Sequence, residues 1–362
     1  MAEDTKVPSP PQAPTGESNA VATAAMVIII VMTIAALRLG RPVVLPVVLA
    51  VLLSLLLGTP MRWLHRHHVP ERIGAAIVVF GALALGAGAA ALLVAPATDW
   101  INTAPATLKR VEGKVRRIAQ PIARLQRSAD SLEHATASPA TDAPRQVQIA
   151  TPGLFERVSL STLAALPTVL SVIFLTYFLL ASGPLFRRKL VTILPGRRDV
   201  KHVEHLLSEI EIVTSRYLAT TTMINTGVGL ATAGALWVIG VPNYLLWGAV
   251  AAVLNFVPYL GPIVTASVIA LAALAAIDDP AKAWLAPGAF LLIHLTETNL
   301  VTPSLLGRRL PVNTVSIFIG LLFFGWVWGI PGAVMAVPLT VVLKVSCDHI
   351  PPLHHVGELL GN

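Results

Sequence analysis

The chain has 362 residues, of which 55% are hydrophobic and only 12% charged, and its mean hydropathy is +0.73. Soluble domains carry about 25% charged residues, so this composition excludes an ordinary water-soluble domain and describes an all-α polytopic membrane protein. The net charge of +7 flanks apolar runs and accompanies no aromatic–basic module, so the expected partner is the lipid bilayer and no nucleic acid is expected.

Residues 1–20 are polar and Pro-rich, with Pro8, Pro10, Pro11 and Pro14, and read as a disordered tail. The first apolar run follows without a basic leader or a small-residue cleavage site, so a retained anchor is expected rather than a signal peptide. Apolar runs lie at Val21–Leu37, Pro42–Leu57, Ile73–Ala95, Leu160–Ala181, Tyr217–Ile239, Tyr244–Ile277, Trp284–Leu295 and Val315–Val345. The first three fill residues 21–98 as transmembrane segments 1–3. Residues 99–158 are polar; a helix is predicted over Thr107–Glu133, followed by a Ser/Thr/Ala/Pro linker at Ala135–Pro152. Residues 159–183 form the fourth segment. Residues 184–216 are basic, with Arg187, Arg188, Lys189, Arg197 and Arg198. Val203, Leu206, Leu207, Ile210 and Val213 recur there at helical spacing opposite Glu204, Glu209 and Glu211, predicting an amphipathic helix. Residues 217–346 form the rest of the membrane core, and 347–362 a C-terminal tail.

Short loops rich in Lys and Arg set orientation. Arg62, Arg66 and Arg72 after the second run, and the 184–201 basic cluster after the fourth, are both cytoplasmic if the N-terminus is inside. Residues 99–158 are then extracytoplasmic, and the C-terminus is cytoplasmic.

Tyr244–Ile277 is about 34 residues without a charge, well past the ~20 that cross a bilayer. Its centre reads Asn255-Phe-Val-Pro258-Tyr-Leu-Gly261-Pro262. Each proline removes a backbone donor, so the helix must break there, and freed backbone groups in hydrocarbon need protein or water to receive them. Val315–Val345 is similarly overlong and is interrupted by Gly325-Trp-Val-Trp-Gly329-Ile-Pro331-Gly332. Two such runs are expected as re-entrant hairpins or as kinked single spans. The hairpin reading agrees better with the charge rule, because it puts Asp278 and Asp279 outside and Arg308 and Arg309 inside.

Glu297 is the only acidic residue within a predicted apolar helix, in the stretch His294-Leu-Thr296-Glu297-Thr298-Asn299. A charge at mid-bilayer costs about 3 kcal/mol on insertion scales, so Glu297 must face protein or water. With His294 one turn earlier it is either a proton or cation relay or a helix-end cap near the membrane edge. Asn255 either lines a pathway or satisfies backbone freed by Pro258. Pro258, Gly261, Pro262, Pro331, Gly332 and Pro338 are read as architectural. Tyr259 and Trp326 either gate a cavity or anchor at the interface. Thr220, Thr221, Thr222 and Asn225 form a polar stripe on the fifth run, explained by interhelical hydrogen bonding at least as well as by substrate contact. His65, His67 and His68 have loose spacing in a basic loop, which favours headgroup contact over a metal. The single cysteine, Cys347, excludes an internal disulfide and any cysteine-based metal site. No metal site and no cofactor are assigned, and no phosphate-binding Walker sequence points to ATP-driven pumping.

Three blocks resemble the autoinducer-2 exporter family of bacterial membrane proteins: Val241-Pro-Asn-Tyr-Leu-Leu-Trp-Gly248 through Pro262, Glu297-Thr-Asn299 followed by Pro303 and Gly307, and Gly332-Ala-Val-Met-Ala-Val-Pro338-Leu. Tyr177-Phe-Leu-Leu180 to Pro195 is a weaker block. Ser182-Gly183 departs from the family's frequent Asp-Gly, and Asn313-Thr314 from its His-Pro or Asn-Pro. The resemblance implies a non-enzymatic secondary transporter of the bacterial inner membrane and a homo-oligomer. It also implies architectural roles for Tyr259, Pro303 and Gly307, and a substrate pathway or coupling group built from Asn255, Glu297, Asn299 and His294. Export of a small polar molecule such as autoinducer-2, sodium–proton antiport, and a non-transporting scaffold using residues 99–158 are the competing functions. The partner to be moved is a small polar substrate or a cation.

Overall fold

A computed structural model describes residues 15–130, 166–183, 189, 200–306, 312–350 and 353–361. Among them there is no strand, and five helices are long and apolar enough to cross a membrane. The N-terminal tail, the 135–152 linker and most of the 184–199 basic loop lie outside the described residues.

The chain divides into two compact units, residues 1–45 and 46–362. In the first, α1 (Thr15–Leu39) ends at a tight turn in which Val43 and Val44 donate to the Gly40 carbonyl. Met26 to Met32 are all exposed, as the lipid-facing side chains of an apolar helix are. Helix α2 (Arg41–Arg66) begins in this unit and carries the chain into the second.

In the second unit, α3 (Glu71–Asp130) is one continuous helix of 60 residues. The sequence pattern predicted a span ending near Ala95 and a separate helix from Thr107; instead the backbone runs on through Pro96, Pro105 and Pro121. Ala75, Val78 and Val79 of α3 pack with Leu180 of α4 (Leu166–Gly183) and with Leu57 and Met61 of α2. The amphipathic stretch and the fifth apolar run are likewise a single helix, α5 (Val200–Ile239).

The long run after α5 breaks as its prolines demand. It forms α6 (Tyr244–Leu254) and α7 (Leu260–Ala276), of 11 and 17 residues. At 1.5 Å per residue these are about 16 and 25 Å long, so neither spans a ~30 Å hydrocarbon core. Helix α6 runs antiparallel to α5 at very close approach, with Gly229 against Gly248 and Ala252, and Asn225 opposite Asn255. Leu246, Trp247 and Ala251 of α6 join Ile269 and Ala273 of α7 and Ala286 and Phe290 of α8 (Pro280–Thr296) in the main core. Trp100 of α3 meets Trp247 edge to face, ring centroids 5.2 Å apart.

Helix α8 passes through a π-helical turn (Glu297–Val301) into α9 (Thr302–Leu306). The last long run forms α10 (Thr314–Trp328) and α11 (Ile330–His349), joined at Gly329, whose φ of 71° is a left-handed conformation that favours glycine. Gly320 faces Thr340 and Gly325 faces Ala333, so these helices fold back as a hairpin. Asn313 ties the start of α10 to the following helix α12 (His354–Leu360), donating through Nδ2 to the carbonyls of Leu359 and Gly361.

These contacts decide how the first broken run passes. His349 at the end of α11 lies 3.1 Å from Glu209 in the first third of α5, so the start of α10 and the start of α5 share one side. Helix α5 leaves that side, and Leu246 and Trp247 at the start of α6 share one core cluster with Ile269 and Ala273 late in α7. The α6–α7 pair must then end on the side where it began, which makes it a helical hairpin too. Among the described residues the two broken runs are both hairpins and not kinked single spans.

Candidate functional site

The first polar cluster forms where α6 breaks. Asn255 closes α6, its backbone N–H donating to the Ala251 carbonyl at 3.0 Å. Pro258 has no N–H to continue the helix. The chain turns through Tyr259 at φ 63°, and Leu260 donates to the Pro258 carbonyl at 2.7 Å. Such a φ costs a non-glycine residue about 1–2 kcal/mol, so surrounding contacts hold it. Tyr259 meets Phe318 of α10 edge to face at 6.2 Å, and Val257 is buried with Leu321 and Ala336. The tip of the first hairpin therefore rests on the second.

Close approach shapes both hairpins. A Cβ at Gly261 would overlap the Leu254 carbonyl, and one at Gly332 would overlap the Phe324 carbonyl. Pro262 and Pro331 fall in the first turns of α7 and α11, where a missing N–H costs nothing, and Pro338 lies buried inside α11.

At this break Asn255 Nδ2 donates to Asn225 Oδ1 on α5 at 2.9 Å. Asn225 is 2% exposed, and its own Nδ2 has no partner among the described residues. Thr214 and Thr232 are fully buried with unpartnered hydroxyls. They lie 11 residues before and 7 after Asn225, roughly three and two helical turns, so the three share one stripe. An unmet buried polar group costs about 1–3 kcal/mol, so the two hydroxyls and the Asn225 amide keep hydrogen-bonding capacity unused among the described residues. Sequence reading had reached Asn225 but missed Thr214 and Thr232, although their spacing is legible.

The second cluster is built by the π-turn. Its wider winding pairs residues five apart: Thr302 N–H donates to the Glu297 carbonyl, and Thr302 Oγ1 donates to Glu297 Oε1. Thr298 Oγ1 donates to Oε2 at 3.2 Å, and His294 Nδ1 stands 3.3 Å from the same oxygen. The Glu297 and His294 side chains are 12% and 24% exposed, and the His294 ring stacks on the buried Phe290. The carboxylate thus has two hydroxyl donors and a titratable neighbour. Asn299 is turned away, donating to the Leu295 carbonyl at 2.8 Å from an exposed position. Pro303 lies in α9, and Gly307 lies outside the described residues.

The two clusters are separate, and both sit against α5. Further along α5 a cavity of about 460 Å³ opens between α2 and α5, lined by Thr59, Arg62, Ser208, Glu211, Arg216 and Thr220. Arg62 pairs with Glu211 at 3.8 Å. Among the described residues His65, His67 and His68 do not converge as a ligand set.

The chain is similar in sequence to known membrane transport proteins. The family model described as AI-2E family transporter matches residues 27–351. The AI-2 transport protein TqsA of Escherichia coli is 30% identical over 210 residues, covering 56% of this chain and 60% of that protein. The putative transport protein YueF of Bacillus subtilis is 24% identical over 275 residues, covering 74% and 73%. The putative transport protein YhhT of Escherichia coli is 31% identical over 147 residues, covering 41% and 42%. The match to TqsA thus spans about three fifths of that relative's length.

Proposed function

The chain belongs to the AI-2E transporter family and is a multi-pass membrane transporter; from that premise we propose that it exports a small polar molecule of the autoinducer-2 kind across the bacterial inner membrane. The observation that carries this reading is the amide pair at the break of the first hairpin. Asn225 is buried, its Nδ2 donor is unmatched, and Asn255 holds its oxygen at 2.9 Å. A polar solute offering an oxygen acceptor would satisfy that donor at membrane depth. The cavity beside Arg62 and Arg216 supplies the entry on the side shared by α2 and the start of α5. In this reading the arginine-rich side is cytoplasmic, as the charge rule favours, with both termini inside and residues 99–158 outside. Homo-oligomeric assembly belongs to the same reading.

Glu297 is the coupling group. Its carboxylate is nearly enclosed, hydroxyl-bonded and 3.3 Å from His294, so a proton can pass between two side chains of one helix. The same observation favours sodium–proton antiport as the second reading. Flux into proteoliposomes separates them. Export predicts uptake of autoinducer-2 that falls with Asn255→Ala. Antiport predicts sodium-driven proton movement that is lost with Glu297→Gln and indifferent to Asn255→Ala. Absence of autoinducer-2 flux in monodisperse protein rejects the export reading.

A further inference from the structure

We propose that His205, Glu209 and His349 form a binding site for a transition-metal cation of the zinc class, which fastens the first third of α5 to the end of α11. His205 and Glu209 are one turn apart on α5, and His349 is the last residue of α11. One ligand atom from each lies within 4.8 Å of the others. Glu209 Oε2 is 3.1 Å from His349 Nε2 and 3.9 Å from His205 Nε2. The two rings are tilted by 54° with centroids 5.8 Å apart.

The hydrogen bond on the other side of the His349 ring sharpens this geometry. His349 Nδ1 lies 2.9 Å from the Val345 carbonyl. A carbonyl only accepts, so Nδ1 carries a proton, and Nε2 is the ring nitrogen turned to the carboxylate oxygen. A cation, either a proton on Nε2 or a metal ion, would bridge that nitrogen and the carboxylate. A proton would serve that pair alone, but His205 brings a third donor atom to the same oxygen. A ring held through Nδ1–H to a backbone carbonyl is also the usual setting of a metal-bound histidine.

Two imidazoles and one carboxylate suit zinc, at about 2.0–2.2 Å per bond. Magnesium and calcium prefer oxygen alone. Ligand atoms around a tetrahedral ion stand roughly 3.3 Å apart at those bond lengths, so Glu209 and His349 are already spaced for it. His205, at 75% side-chain exposure, is free to close the remaining gap. Three protein ligands leave a position for water. Helix α5 carries Asn225 of the amide pair and α11 is one arm of the second hairpin, on which the tip of the first rests, so an ion here braces two elements in contact with the first hairpin.

The test uses the full chain in detergent micelles with any purification tag removed, titrated with Co2+ and then Zn2+. One equivalent of Co2+ is expected to give visible d–d absorption that Zn2+ displaces. His349→Gln, Glu209→Gln and His205→Gln should each weaken binding at least about tenfold, while a His354→Gln, His355→Gln double variant should bind as the parent does. Because His205 is exposed, its variant keeps the test alive if the other two fail to fold. Absence of binding, or equal binding by parent and the His205→Gln variant, overturns the proposal and leaves an ion pair between protonated His349 and Glu209.

Discussion

Asn225 in the middle of α5 and Asn255 at the end of α6 are joined side chain to side chain, Asn255 Nδ2 donating to Asn225 Oδ1 at 2.9 Å. The pair sits where α6 stops, and Gly229 one turn further along α5 packs against Gly248 two turns back along α6. The bond therefore ties the tip of the first hairpin to α5 and leaves the Asn225 Nδ2 donor without a partner among the described residues.

Asn225→Ala and Asn255→Ala should each destabilise the protein by about 1 kcal/mol, with a coupling near 0.6–1.5 kcal/mol in the double variant. Unfolding in mixed micelles measures this cycle. Additive effects would mean that the two amides do not act together.

Glu297→Gln keeps a group able to accept from Thr302 and removes the charge. Proton movement coupled to transport should fall at least about tenfold, read with a pH-sensitive dye in proteoliposomes, while the melting temperature changes little. Thr302→Val, which leaves the carboxylate but removes one donor, should reduce it only in part. Undiminished proton movement in Glu297→Gln would remove this residue from the coupling step.

The glycines divide into two classes. Gly261→Ala and Gly332→Ala drive a methyl into a carbonyl on the facing helix, and overpacking of this kind costs about 1–3 kcal/mol. Gly227→Ala and Gly234→Ala on α5 meet nothing within 4 Å, and should be neutral or slightly stabilising because alanine favours helix. Thermal melts of the four variants, followed by size-exclusion, test the contrast.

The hairpin topology puts the α7–α8 turn opposite the α2–α3 turn and α12. A cysteine at Lys282 should react with a membrane-impermeant thiol reagent from the outer face, and cysteines at His67 and His355 only from the inner face. The native Cys347 is buried and is replaced by alanine as a precaution. Reaction of the Lys282 and His355 cysteines from one face would reject two returning hairpins.

Much of this was legible in the chain. The break between Asn255 and Pro262 follows from proline chemistry, and the need of Glu297 for polar neighbours from the cost of a charge in an apolar run. Other features were hidden because the interactions that fix them are not local. Nothing in Glu297-Thr-Asn-Leu-Val301 announces a π-turn, yet that turn brings Thr302 onto the carboxylate. The pattern near Ala95 reads as a stop, yet α3 continues, since a proline costs a helix about 3 kcal/mol and neighbouring turns can offset it.

By itself the sequence determined that the protein is all-helical, lies in a membrane and contains two interrupted apolar runs, because hydrocarbon enforces backbone hydrogen bonding and proline withholds a donor. Only the tertiary structure decided that both runs turn back, that Asn225 is the partner of Asn255, and that His349 closes on His205 and Glu209. Those outcomes depend on which helix faces lie together, and residues about 30 to 140 positions apart carry no local signal of meeting.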